Sequence, residues 1–311
     1  MTILIVNADA DYYRQRLARS CPDADIRAAA SPEAAWAYLD EARALVAFAS
    51  ALSPAMIARA RRLEWLQALS SGVDQVLAWC EDRPEVAITS TRGVQGPAVA
   101  EMAFMHMLAL SRDLPRLVDN QRRAVWARYP QPLLHGKTVV IVGTGLIATE
   151  LAARCTAFGM RVHGVSGTPR PLAGFERVHD RRDLPQAAAL ADFLVVLTPL
   201  SDQTHHLVDA RVLSAIKPGA ILVNLARGGV CDEAAVLRAL REGRLGGAGL
   251  DVFETEPLPV GHPLWAQERV FVTPHLGGES DCYADQVLPI LEANLAAFLQ
   301  GRPQDLRNRV R

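Results

Sequence analysis

At 311 residues, half of them hydrophobic, the chain is long enough for two domains and carries enough apolar material to fill a core in each. A net charge of −1 with no long basic block argues against nucleic acid as a partner, and no stretch approaches roughly eighteen uncharged apolar residues, so no membrane span is expected. The five cysteines (Cys21, Cys80, Cys155, Cys231 and Cys282) are scattered and never spaced as C-x-x-C, which points to reduced core thiols in a cytoplasmic protein, with no metal site.

The opening MTILIVNADAD has no basic leader and only a short apolar run, Ile3 to Val6, which reads as a first strand and not as a signal peptide. Leu45 to Phe48, Leu66 to Leu69 and Val86 to Thr89 read as further short buried strands, with helical stretches at Tyr12 to Arg19 and Pro32 to Asp40. Such alternation predicts an α/β layer structure. Ser70-Ser71-Gly72-Val73-Asp74 is a polar turn whose backbone N–H groups suit a small anion, although the local sequence fits an ordinary capped turn equally well. Ala98 to Leu110 is apolar nearly all round and must be covered on more than one side. It carries Glu101 and His106, and a lone histidine on such a helix reads as a core or interface residue. Ser111 to Pro132 holds Arg112, Arg116, Arg122, Arg123, Trp126 and Arg128. That segment is too polar for a core and predicts an outward arm or subunit contact.

Lys137 to Gly159 organises the rest of the chain. Thr138 to Val142 is a β-branched run long enough for one strand, of the kind found when both sheet faces are covered. It breaks at Gly143-Thr144-Gly145, after which Ile147, Leu151, Cys155 and Phe158 recur at helical spacing. The turn fits G-x-G-x-x-A: Gly143 permits the tight turn, Gly145 lets backbone approach a pyrophosphate, and Ala148 keeps the helix close to the strand. Gly143, Thr144, Gly145, Leu146 and Ile147 are the candidate phosphate contacts, through the free N–H groups where the helix opens. A second strand follows at Arg161 to Val165. Phe193 to Leu197, Ala220 to Leu225, Gly247 to Leu250 and Val270 to Val272 then repeat the pattern of a doubly wound parallel sheet. Asp285 to Leu299 is an amphipathic helix expected to pack back on the first domain.

Ligands of open α/β sheets bind at the carboxyl ends of the strands. The polar residues placed there are Thr198, Asn224 with Arg227, Asp251 with Glu256, and His275; Pro199, Thr204, Leu225, Ala226 and Gly277 complete the expected cofactor lining. A histidine beside a carboxylate is a tunable proton donor, and an arginine offers a planar fork to a substrate carboxylate. With a dinucleotide added, the implied reaction is hydride transfer coupled to proton transfer on an anionic oxo acid.

On the motifs VGTGLIA (142–148), NLARGGVCDEAAV (224–236), GAGLDVFETEPLP (247–259) and TPHLGG (273–278), the chain resembles the D-isomer-specific 2-hydroxyacid dehydrogenases over nearly its whole length. The resemblance implies a doubly wound Rossmann domain (residues 96–280) inserted into a smaller flavodoxin-like α/β substrate domain (residues 1–95 with 281–311), with the active site in the cleft between them. It makes Arg227 the substrate-binding arginine, His275 the acid/base and Glu256 its polarising partner. Ser70, Ser71, Gly72 and Val73 become the loop whose backbone takes the substrate carboxylate. A glyoxylate- or hydroxypyruvate-class reductase is the leading expectation, as a homodimer. A formate dehydrogenase is disfavoured by Pro274 and by the presence of Glu256, and a dinucleotide-sensing corepressor like the C-terminal-binding proteins is the alternative from another class. Two departures stand out. Ala148 replaces a third glycine, and Ser166 stands where relatives that use NAD carry an acidic residue. With Ser166, Thr168 and Arg170 on that loop, NADP(H) is expected to be preferred, with NAD(H) possible.

Overall fold

A computed structural model describes residues 1–311, and the chain divides into two compact units, Met1–Gln95 with Glu279–Arg311, and Gly96–Gly278. In the first unit the strands are β1 (Thr2–Val6), β2 (Asp25–Ala29), β3 (Ala42–Ala47), β4 (Trp65–Ala68) and β5 (Ala87–Thr89). They form a five-stranded parallel sheet in the order β2-β1-β3-β4-β5, the flavodoxin-like arrangement. β1 is buried on both faces because its alternate side chains enter different cores. Leu4 and Val6 pack with Leu39, Leu45 and Met56, whereas Ile3 and Ile5 pack with Tyr13, Leu17 and Trp65. The helix Tyr283–Leu299 closes the second of these cores with Val287, Leu291, Leu295 and Phe298. Its one fully buried polar side chain, Asn294, donates to Gln67 Oε1 (2.8 Å) and accepts from the Arg307 amide (2.6 Å), which removes the penalty of burying an amide. Residues 308–311 run antiparallel along the open edge of β5, bonding Ile88 and Ser90.

The second unit holds β6 (Thr138–Val142), β7 (Arg161–Ser166), β8 (Arg177–Asp180), β9 (Phe193–Val196), β10 (Ala220–Asn224), β11 (Leu245–Leu250) and β12 (Val270–Val272). All seven run parallel, in the order β12-β11-β10-β9-β6-β7-β8. The chain therefore moves outward from β6 to one edge, returns through β9, and builds the other half. The junction of β6 and β9 is the switch point at which a doubly wound sheet opens a crevice. Helices cover both faces, and the expected doubly wound α/β class is what the chain adopts. The helix Gly96–Ser111 is buried on most of its circumference among β-sheet and helix partners, as its apolar character requires, and leaves a stripe of Pro97, Glu101 and Met105 exposed. After it, the helix Leu114–Arg122 buries no residue and Trp126 is 94% exposed.

Two strands carry no sequence signal, and one predicted helix is shorter than expected. β2 and β8 are edge strands, paired on one side only, with burial that alternates or fades along their length; Asp25, Arg27, Arg177 and Asp180 stay at the surface or partly covered, so no apolar run marks them. Of Pro32 to Asp40 only Pro32–Ala35 is helical. Beyond it Trp36, Tyr38, Glu41 and Ala42 bond three residues back. These tighter turns carry Leu39 and Ala42 into the core over a short connection to β3.

Candidate active site

The glycine turn lies at the switch point. Gly143 has φ +98°, and a methyl group there would fall 2.8 Å from the Thr198 amide and 2.9 Å from the Leu197 carbonyl carbon, so the turn after β6 rests directly on the chain leaving β9. Gly145 faces open space, with nothing within 4 Å of where its side chain would begin. It starts the helix Leu146–Ala157 without a side-chain cap, leaving the first-turn N–H groups of a full-length helix available. Thr144 packs its methyl on Gly164 of β7, Leu146 is exposed, Ile147 is partly covered, and Ala148 is buried against the sheet. An open glycine beside unpaired helix-opening donors fits a pyrophosphate. Thr198 borders this turn, and Pro199 follows it on the chain leaving β9. The Thr204 hydroxyl is used inside its own loop, donating to Pro199 O (2.7 Å) and accepting from Ser201 N (2.8 Å), so it shapes the loop. On the loop after β7, Ser166 Oγ accepts from Thr168 N (3.2 Å), and Thr168 and Arg170 are exposed.

Arg227, Glu256 and His275 follow β10, β11 and β12, three neighbouring strands, and their approach is a product of that order. Asn224 fixes the Arg227 segment: its Oδ1 accepts from Ala226 N (3.1 Å) and its Nδ2 donates to Arg227 O (3.0 Å), while Arg227 Nη1 donates to Ala226 O (2.7 Å). Leu225 is partly covered and Ala226 is buried. Glu256 accepts from the Phe253 amide at Oε1 (2.9 Å) and lies 2.8 Å from His275 Nδ1 at Oε2. Burial raises the Glu256 pKa, but the hydrogen bonds from His275 and Phe253, with the charges of His275 and Arg227, outweigh it and hold the carboxyl below the usual glutamate range. Gly228 brings the two loops together, since any side chain there would enter the Phe253–Glu254 backbone. A reciprocal clasp joins the same loops one step further out. Glu254 N donates to Glu233 Oε1 (2.7 Å) and Glu233 N donates to Glu254 Oε1 (3.4 Å), while His206 and His262 flank the two carboxylates. Neither glutamate is legible as a site residue in the sequence; the one signal is Glu233 directly after a helix-capping Asp232.

His275 has φ +55°, a left-handed conformation that a histidine adopts only when its surroundings compel it. Asp251 supplies the compulsion. Its main-chain O accepts from His275 N (2.8 Å), its Oδ1 from Leu276 N (2.9 Å) and its Oδ2 from Gly277 N (2.8 Å), so three consecutive amides converge on one residue. Thr273 Oγ1 donates to Asp251 Oδ1 (2.5 Å), which obliges His106 Nε2, 3.2 Å from the same hydroxyl, to be the donor to it. His106 is fully buried, and burial pushes its pKa from 6.5 down to about 4 against the opposing pull of Asp251. The unfolded chain thus takes up a proton that the native state refuses, and stability falls as the pH drops from the ordinary histidine value toward 4. At about 1.4 kcal/mol per pH unit the loss through His106 is on the order of 3 kcal/mol. In His106→Gln this component should vanish from urea unfolding measured across that range; identical pH dependence in both proteins would rule out His106 as its source.

In the first unit, Ser70 Oγ donates to Gly72 O (2.7 Å), and Ser71 donates to Gln95 Oε1 from both its hydroxyl (2.6 Å) and its amide (3.2 Å). The amides of Gly72 and Val73 bond no group of the chain, so of the expected anion-binding turn these two donors are the ones on offer.

The family profile described as "D-isomer specific 2-hydroxyacid dehydrogenase, NAD binding domain" matches residues 104–277. A glyoxylate reductase of Thermococcus gammatolerans is 35% identical over 260 residues, covering 80% of this chain and 78% of that protein. Among solved structures, a D-isomer specific 2-hydroxyacid dehydrogenase family protein of Aeromonas salmonicida superposes with a TM-score of 0.91 at 37% identity, over 100% of this chain and 98% of its own. The NADPH-dependent glyoxylate/hydroxypyruvate reductase of Sinorhizobium meliloti, solved with NADP and sulfate, superposes with a TM-score of 0.84 at 28% identity, over 100% and 98%.

Proposed function

The chain belongs to the D-isomer-specific 2-hydroxyacid dehydrogenases, and from that premise we propose that it reduces a small 2-oxo acid of the glyoxylate and hydroxypyruvate class to the D-2-hydroxy acid, with NADPH preferred over NADH. The observation that carries the reading is the 2.8 Å pair of His275 Nδ1 and Glu256, set beside Arg227 at the carboxyl edge of the sheet. With Nδ1–H donated to the carboxylate, Nε2 is the ring atom left to pass a proton to the carbonyl oxygen. Glu256 stays ionised below the usual glutamate pKa and stabilises the imidazolium that the donor must be before transfer. Arg227 presents its guanidinium, a planar fork, to the substrate carboxylate.

The uncapped helix start after Gly145, with Gly143 and Thr198 around it, would hold the dinucleotide phosphates, and Asp251 and Gly277 belong to its lining. When bound, that cofactor supplies hydride to the carbonyl carbon. The NADPH preference is supported by Ser166 at the end of β7, which removes the repulsion an acidic residue would exert on a 2′-phosphate, and by the NADPH dependence named for the Sinorhizobium meliloti relative.

A panel of 2-oxo acids assayed with each reduced cofactor tests the proposal. The highest kcat/KM is expected for glyoxylate or hydroxypyruvate with NADPH, at least about tenfold above NADH, a difference worth roughly 1.4 kcal/mol. No turnover of any 2-oxo acid with either cofactor would overturn the reaction assigned; a preference for NADH would overturn the cofactor alone.

A further inference from the structure

β7 and β8 end in register, Ser166 beside Asp180, so the next residues, Gly167 and Arg181, lie side by side just beyond the sheet. Their proximity is unusually close: a methyl group at Gly167 would fall 2.2 Å from Arg181 Nη2 and 3.1 Å from its guanidinium carbon. The guanidinium lies over the Gly167 backbone in the space a side chain would fill. It is fastened from the other side by Gln203, with Nη1 donating to the main-chain O and Nη2 to Oε1, both at 3.3 Å. Gln203 in turn sits in the 201–204 turn that the Thr204 hydroxyl ties to Pro199.

Arg181 is a partly buried cation whose partners are neutral oxygens only. The nearby Asp180 carboxylate feels the Arg181 charge but gives its hydrogen bonds to Arg182, accepting from its Nε (3.0 Å), Nη2 (3.2 Å) and amide (2.9 Å), and makes none to Arg181. Arg182 itself points outward, its side chain 88% exposed. Arg170 lies on the exposed stretch beyond Pro169 and has no hydrogen bond or ion pair to hold it in place. A guanidinium held by two bonds to Gln203 retains most of its N–H donors for an anion, and its position next to Ser166 is where the adenosine ribose of a dinucleotide on this sheet would lie.

We propose that Arg181, held over Gly167 by Gln203, is the main cationic contact for the 2′-phosphate of NADP(H) and sets the cofactor preference. The inference rests on the NADPH reading above. It assigns to an arginine fixed by tertiary contacts the role that Arg170 would have to fill from an exposed side chain with no partner to hold it, at greater entropic cost.

Calorimetric titration with 2′,5′-ADP and with 5′-AMP separates the contributions without turnover. Arg181→Met keeps the apolar stem and removes the charge; it should weaken 2′,5′-ADP by about thirtyfold, the worth of a charge-assisted hydrogen-bond pair, and leave 5′-AMP within about twofold. Gly167→Ala leaves the arginine in the chain but displaces its head group, and should also weaken 2′,5′-ADP selectively. Arg170→Ala should change neither ligand by more than about twofold. Wild-type affinity in Arg181→Met, or equal loss of both ligands, would overturn the assignment of Arg181 while leaving the NADPH reading standing. A wild-type protein that binds 2′,5′-ADP no tighter than 5′-AMP would overturn both.

Discussion

Replacing His275 with Asn is expected to lower kcat for 2-oxo acid reduction by roughly a hundredfold or more while cofactor affinity stays within about twofold. Asparagine is the appropriate substitution because of the backbone. With φ at +55°, most side chains would add conformational strain, whereas asparagine tolerates the left-handed region better than any other residue with a side chain of similar size. The three amides bound to Asp251 do not involve the imidazole, so the loop should keep its course. An asparagine amide can still donate to Glu256 but has no proton to transfer. The loss should therefore fall on kcat, where a group acting only in the transition state is read, and not on the binding of NADPH measured by fluorescence. Unchanged turnover would remove His275 from the chemistry, and a collapse of cofactor binding would mean that the loop had lost its shape.

Arg227→Lys is the second substitution with a large expected effect. It preserves the positive charge and removes the planar fork, so kcat/KM should drop by roughly fiftyfold for every 2-oxo acid tested, as expected for losing a charge-assisted hydrogen bond of the bidentate kind. The segment around it should survive, because Asn224 holds it through main-chain atoms, at Ala226 N and Arg227 O. Part of the loss has a further origin. The charge of Arg227 contributes to holding Glu256 ionised, and a lysine ammonium, on a more flexible stem, would do so less reliably. Wild-type kcat/KM across the panel would show that another group holds the substrate.

What the sequence by itself determined is the part of the molecule governed by local pattern. The central strands Thr138–Val142 and Thr2–Val6 are covered on both faces and so are written as uninterrupted apolar runs. The glycine turn after β6 is legible for a similar reason: a tight turn with positive φ at Gly143 and an open approach at Gly145 can be met only by particular residues at particular spacing. The order of the motifs then placed Arg227, Glu256 and His275 after successive strands of one sheet. The tertiary structure alone decided the rest, because it depends on register between segments far apart in the chain. The edge strands Asp25–Ala29 and Arg177–Asp180 take their conformation from a neighbour's hydrogen bonds and not from their own composition. Asp251 bends the His275 loop, 24 positions further along the chain, and is itself tied through Thr273 to His106, on a helix more than a hundred residues earlier. Arg181 meets Gly167 because β7 and β8 stop in step, a coincidence of two strand ends that neither segment encodes alone.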